Sequence, residues 1–321
     1  MLVQSAEFLS NGLIFSTVEK ILMITNLSAT DFCQKYASPS YLNQDPPDGI
    51  VGQPRTIYLE KAWLTVPLWY PITKEFHTCE ELFQLYAPFK YAKLEGPSIF
   101  EFLKKHKDQL DRQTPLSDVF VLGGADNYYH FLFDIMPRLA LLKWIPELQR
   151  LRLLIGTDLT RTQMPIVIYV FSQLDIPTKN ISTLHKGFFP ISSVFMPAKI
   201  GRETAISIWK NLILPPDHGP GPRRRRLFVE RNNLQTRRVV NQDEVKDYLS
   251  RQDFDCIDPG ELPFEEQIAL FANANLIVGA HGAGLANILF APSDCHFIEL
   301  YGERALDLLQ IIASLQGMTY E

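Results

Sequence analysis

Apolar and polar positions follow two regimes along the chain. Beyond Arg223, short apolar runs at 227–229, 254–257, 276–278 and 297–300 alternate with stretches of helical spacing at 243–251 and 263–274 and a briefer one at 285–290. Strands and helices alternating at these lengths predict right-handed βαβ units and a parallel sheet covered on both faces. Pro263 in the first turn of its helix, with Glu265 and Glu266 near the positive end of the helix dipole, marks the start of that helix. The preceding part is less regular. Residues 56–69 are rich in strand formers, 118–122 is a compact apolar run ending in Gly123-Gly124, and 128–142 reads as a helix. Strands at 151–155 and 194–196 with a helix at 163–173 complete a second α/β layer, leaving mixed helix and loop over 1–50 and 70–115.

Between the regimes lies Leu214-Pro215-Pro216-Asp217-His218-Gly219-Pro220-Gly221-Pro222, where prolines and glycines prevent a helix and remove ladder donors. The expected organisation is therefore an α/β domain over 1–214, a Pro/Gly/Arg linker over 215–225 and a second α/β domain over 226–321. A chain of 321 residues is long enough for two cores.

A hydrophobic content of 46% with 21% charged residues excludes wholesale disorder, and a net charge of -5 excludes a generally adhesive basic surface. The charge is nevertheless uneven: 223–238 holds seven arginines against one acid, Glu230. Arg223 to Arg226 read as a solvated charge run. Arg231 ends the run 227–229 and is the better candidate for an anion, because a guanidinium donates a planar pair of hydrogen bonds and stays charged. Arg238 precedes the Asn241 helix cap and has two readings, a structural tie to Glu244 or a ligand contact.

Cys33, Cys79, Cys256 and Cys295 form no CxxC pair and fit free thiols in a reducing compartment, so a cytoplasmic location is expected. The apolar stretch 12–27 is interrupted by Glu19 and Lys20 and falls short of a membrane span. No GxSxG elbow, HExxH or Walker A pattern occurs, and Asp253-Phe254-Asp255 opens a strand, so neither a metal nor a resident cofactor is expected.

The most informative stretch is 276–287, a buried strand running through His281-Gly282-Ala283-Gly284 into a helix that includes Asn287. Glycines there let the backbone approach a ligand, while the leading amides of the new helix attract phosphate oxygens. Glu299, at the end of the next strand, suits ribose hydroxyls. The spacing Gly282-x-Gly284-x-x-Asn287 lacks the third small residue of a dinucleotide site, so a mononucleotide fits better. In the first half, 118–134 again runs from strand through glycine turn into helix, with Asp126 or Asn127 as the cap. His130 and Asp134, four apart, share a helix face, and either could be a general base; an interior histidine and an Asp134–Arg138 pair are the structural alternatives.

Together these residues resemble the family-61 glycosyltransferases. The resemblance rests on Leu227-Phe228-Val229-Glu230-Arg231, Arg237-Arg238-Val239-Val240-Asn241, Phe264-Glu265-Glu266-Gln267, Gly279-Ala280-His281-Gly282-Ala283-Gly284-Leu285 with Asn287, and Ile298-Glu299-Leu300, with Asn127 to Asp134 as the N-terminal signature. It implies a GT-B architecture, two Rossmann-like domains facing across a cleft, and an inverting, metal-independent transfer of a sugar from a nucleotide donor of UDP type to a hydroxyl of a glycan or lipid-linked acceptor. On that resemblance Arg231 neutralises the diphosphate, the turn 281–284 cradles it and Glu299 holds the ribose. Cell-surface polysaccharide synthesis, with peripheral membrane association, is the implied setting. The chain departs from the family in having Glu230 where Ser is common and Gln242 where an acid often follows Asn241, and it stops at Glu321, short of an expected closing helix. A catalytically silent nucleotide-sugar-binding module is the main alternative. A nucleic-acid binder using the arginines is the second, weakened by the acidic remainder and the lack of a stacking motif.

Overall fold

The computed structural model describes residues 25–27, 56–66, 69, 71–79, 96–125, 127–156, 163–177, 180–185, 187–214, 224–231, 239–302 and 307–321. Arg237, Arg238, Asp126, the segment 215–223 and most of the N-terminal apolar stretch lie outside them.

One five-stranded sheet is built entirely from the C-terminal regime, in the order β12 (Phe254–Ile257), β11 (Arg225–Val229), β13 (Ala274–Ala280), β14 (His296–Leu300), β15 (Thr319–Tyr320). Every pair in it is parallel, as the βαβ spacing predicts. The central strands read as near-continuous apolar runs because helices cover both faces; Leu227, Phe228, Ile277 and Phe297 are fully buried. The helix Gln242–Ser250 follows β11, and Phe264–Ala272 follows β12.

A helix follows β14. Leu308–Gln316 packs Leu309, Ile312 and Ala313 inward and ends at Gly317, whose positive φ of 74° forms a left-handed cap.

A second five-stranded sheet has the order β2 (Thr56–Leu59), β10 (Val194–Pro197), β6 (Val119–Gly123), β7 (Arg152–Gly156), β8 (Ile181–Leu184). It is parallel except for β2, which runs antiparallel along β10 at one edge. A three-stranded antiparallel sheet, β4 (Pro71–Thr73), β3 (Ala62–Val66), β9 (Gly187–Ile191), and a parallel pair, β1 (Thr25–Leu27) with β5 (His77–Cys79), lie outside the expected α/β layer. The helix Gly96–Asp111 supplies the order that was unreadable in that region.

The chain from 128 to 144 is helical but not uniformly so. After one α-turn it widens into a π-turn over Phe131–Ile135, where the Met136 amide donates to the Phe131 carbonyl, and then tightens into a 3-10 turn containing Pro137. Proline has no amide to continue the ladder, and π-turns often mark functional sites.

Aromatic side chains join the layers of the two large sheets. Trp209, fully buried with its indole N–H donating to the Leu132 carbonyl at 2.8 Å, meets Phe264 and Phe290 at ring separations of 6.2 and 5.6 Å. One apolar cluster thus runs from Phe120 and Phe131 to Leu285 and Ile312. Among the described residues no helix is long and apolar enough to cross a membrane.

Candidate functional site

In the C-terminal sheet the second strand lies on one side of the first and the third on the other, so the connections leave β11 and β13 toward opposite faces. Doubly wound sheets bind ligands in the crevice that opens at the carboxyl ends of two such strands. A cavity of about 200 Å³ occupies that place. Its walls are 229–231 after β11, 258–260 after β12 and parts of 280–285 after β13, and Tyr128 and Ile166 close it from the first half.

Arg231 and the glycine turn converge in this cavity. The Arg231 backbone amide donates to the Gln242 side-chain oxygen at 3.1 Å, which gives Gln242 a use that the family pattern did not suggest. The guanidinium lies so close over the turn that a methyl group on Gly282 would overlap its Nη1. Gly282 is extended, with φ of 176°, so glycine is needed there for space and not for handedness. Ala283–Phe290 then forms a 3-10 helix whose leading amides have no partner within the helix. A fixed cation beside oriented amides is a site for an oxyanion.

Three of the expected donor-site residues are used differently. Glu299 is buried, its carboxylate facing inward on the same side of β14 as Phe297. One oxygen accepts from His281 Nδ1 at 2.5 Å, and the other accepts from the Tyr301 and Tyr320 hydroxyls at 2.8 and 3.1 Å. Both hydroxyls remain protonated because burial pushes these phenols up. Glu299 thus has three internal donors, His281 among them, and no place in the cavity wall. His281, stacked on Tyr301 at 5.3 Å, sits behind the glycine turn. Asn287 has no exposure: it accepts from the Tyr128 hydroxyl at 2.6 Å and donates to Gln267 at 2.9 Å. Its amide links the two halves beside the cavity.

In the first half, Asn127 is the cap, accepting from the amides of Tyr129 and His130 at 3.0 and 3.3 Å. His130 Nδ1 meets Asp134 Oδ2 at 2.6 Å, and Arg202 Nη1 donates to the other carboxylate oxygen at 2.5 Å while its Nε donates to Tyr129. Arg202 lay outside every motif, and Arg138 is not the hydrogen-bonded partner expected of Asp134. Arg138 is wholly buried, donates to the Leu122 carbonyl at 3.2 Å, and is pushed down to about 10 by burial.

The family model for glycosyltransferase 61 matches residues 128–298, more than half of the chain, from the Tyr128 bridge into β14. The chain belongs to glycosyltransferase family 61. Among its similar relatives, a Drosophila melanogaster protein named EGF domain-specific O-linked N-acetylglucosamine transferase is 33% identical over 87 residues, 26% of this chain and 17% of its own length. Proteins of the same name from Gallus gallus and Bos taurus are 30% and 32% identical over 107 and 111 residues, in each case 32% of this chain and 20% of theirs. The chain thus spans a fifth or less of the length of these curated relatives.

The two departures of this family-61 member are accommodated locally. The buried Glu230 carboxylate pairs with Lys246 at 2.9 Å. Of the arginine run, Arg224 pairs with Asp294 at 2.6 Å and Arg225 with Asp255 at 2.9 Å, while Arg226 lies over the Phe254 ring. Arg224 and Arg226 are exposed, as a solvated run would be, and Arg225 and Arg226 already belong to β11.

Burial pushes the Asp134 carboxyl up, but the hydrogen bonds from His130 and Arg202 and the Arg202 charge outweigh it, leaving the group below the usual carboxylate range. The stability it contributes is therefore present above the unfolded carboxyl value, about pH 4, and is lost as pH falls through the lower folded value. Melting temperatures of the wild type and Asp134→Asn, compared from neutral to acidic pH, should converge at the acid end. A constant gap would contradict the assignment.

Proposed function

We propose that this family-61 chain is an inverting, metal-independent glycosyltransferase of GT-B architecture, moving a sugar from a UDP-type donor to a hydroxyl acceptor. Residues 226–321 bind the donor and 1–214 present the acceptor. The observation that carries this reading is the Arg231 guanidinium seated on the Gly282 turn in a cavity closed by Tyr128 from the other half.

The chemistry is a single displacement. The acceptor oxygen attacks the anomeric carbon, the bond from that carbon to the diphosphate oxygen breaks with its electron pair leaving on the diphosphate, and a base takes the acceptor proton. Arg231 and the leading amides at 282–284 meet the developing negative charge, which is the task a metal performs in other transferases. His130 is the better base. Asp134 is 2% exposed with both oxygens engaged, so it orients the ring while Arg202 holds the carboxylate from the far side. Glu299 acts on the donor side through His281.

The relatives' name supports N-acetylglucosamine as the first sugar to try. A glycan or lipid-linked hydroxyl remains the proposed acceptor, in polysaccharide synthesis. The decisive experiment is a thermal-shift screen of UDP-sugars followed by a turnover assay with and without a chelator. A ligand at a hundred times its Kd stabilises the native state by about 2.7 kcal/mol. One UDP-sugar should raise the melting temperature selectively and be turned over equally well in chelator. A flat screen defeats the reading, and binding without turnover favours the catalytically silent module.

A further inference from the structure

We infer that Asp258 is the residue that reads the ribose of the donor nucleotide, accepting hydrogen bonds from its 2′- and 3′-hydroxyls; this rests on the nucleotide-sugar reading of the same cavity. Asp258 follows β12, the strand beside β11, and lines the cavity together with Pro259 and Gly260. Its position is fixed by its own turn: Oδ1 accepts from the Gly260 amide at 2.9 Å, capping Pro259–Glu261. Oδ2 has no hydrogen-bond partner among the described residues.

A carboxylate in the wall of an anion site needs a reason, because it repels the phosphates that Arg231 attracts. Capping its turn engages only Oδ1, and a neutral donor carried by the same ligand suits Oδ2. A nucleoside diphosphate supplies one: its ribose is a single ester linkage from the phosphates and presents two adjacent hydroxyls, both able to donate to a carboxylate. The other acidic groups near this rim are committed elsewhere, Glu299 to His281 and two tyrosines and Glu230 to Lys246. Cation on the β11 side and carboxylate on the β12 side thus divide the cavity between diphosphate and sugar ring.

The test is calorimetric titration of the full chain with UDP, 2′-deoxy-UDP and 3′-deoxy-UDP, for wild type and Asp258→Asn. Asparagine keeps an oxygen for the Gly260 amide, so the turn is retained, and matched melting temperatures check this. Hydrogen bonds to a charged acceptor predict that the wild type prefers UDP over either deoxy ligand by roughly 10- to 100-fold. In Asp258→Asn that preference should shrink to within about threefold, with UDP weakened most and each deoxy ligand, which keeps one hydroxyl, weakened less. If the variant keeps the wild-type preference, weakens all three ligands in parallel, or if the wild type shows no preference, Asp258 does not read the ribose and the nucleotide site stands without it. If no nucleotide binds the wild type, the function proposed above falls and the inference falls with it.

Discussion

Arg231→Ala is expected to lower sugar transfer by roughly 10²- to 10³-fold, the usual consequence of removing one fixed donor to a developing anion, or ~3 kcal/mol. The loss should fall mainly on turnover, because the charge on the diphosphate grows as the glycosidic bond breaks. Melting temperature should change little, since the partly buried Arg231 side chain is not part of the apolar core. Arg231→Lys should recover only part of the rate: an ammonium restores a point charge but not the planar fork lying across Gly282. Steady-state kinetics with a saturating donor decide the matter, and an alanine variant with near-normal turnover would remove Arg231 from the reaction.

The second large effect is expected in the first half of the chain. His130→Ala should reduce transfer by roughly 10²- to 10⁴-fold, the range that a positioned general base contributes. Donor affinity should be unaffected, because His130 belongs to the helical run 128–144 and is absent from the cavity lining. Calorimetry with the donor alongside a transfer assay separates the two quantities. A His130→Ala enzyme that transfers sugar normally would return the base assignment to an unidentified group.

Much of the cavity rim was legible in the sequence because it is a local matter. Strand, turn and helix follow one another within 276–290, and the apolar run 227–229 ends at Arg231, so hydrophobic period and glycine placement suffice to put both on one rim. Glu299 and Asn287 show where such reading stops: a polar residue in a motif can face a ligand or lock the scaffold. For Glu299 the period-two pattern held a clue, since it shares a face with the buried Phe297. Asn287 offered none, because its partner Tyr128 lies in the other half of the chain.

The helix Leu308–Gln316 went unread for a different reason. Leu308, Ile311 and Leu315 are exposed while Leu309 and Ile312 are buried, so apolar residues surround the axis and blur the 3.6-residue period. β9 was hidden by Pro190, which is tolerated because the strand lies at the edge of its sheet. Arg202 and Asp258 matter through what the fold brings near them, and no spacing announces that.

The Tyr128 hydroxyl reaches from one half into the Asn287–Gln267 pair of the other, at 2.6 and 3.1 Å, right at the border of the cavity. Parting the halves at that point would strand the Tyr128 hydroxyl and the Asn287 side-chain oxygen, while Asn287 and Gln267 keep their bond to each other. Under the proposed function, opening motions that keep this fastening shut cost less than those that break it, as a door swings on its pin.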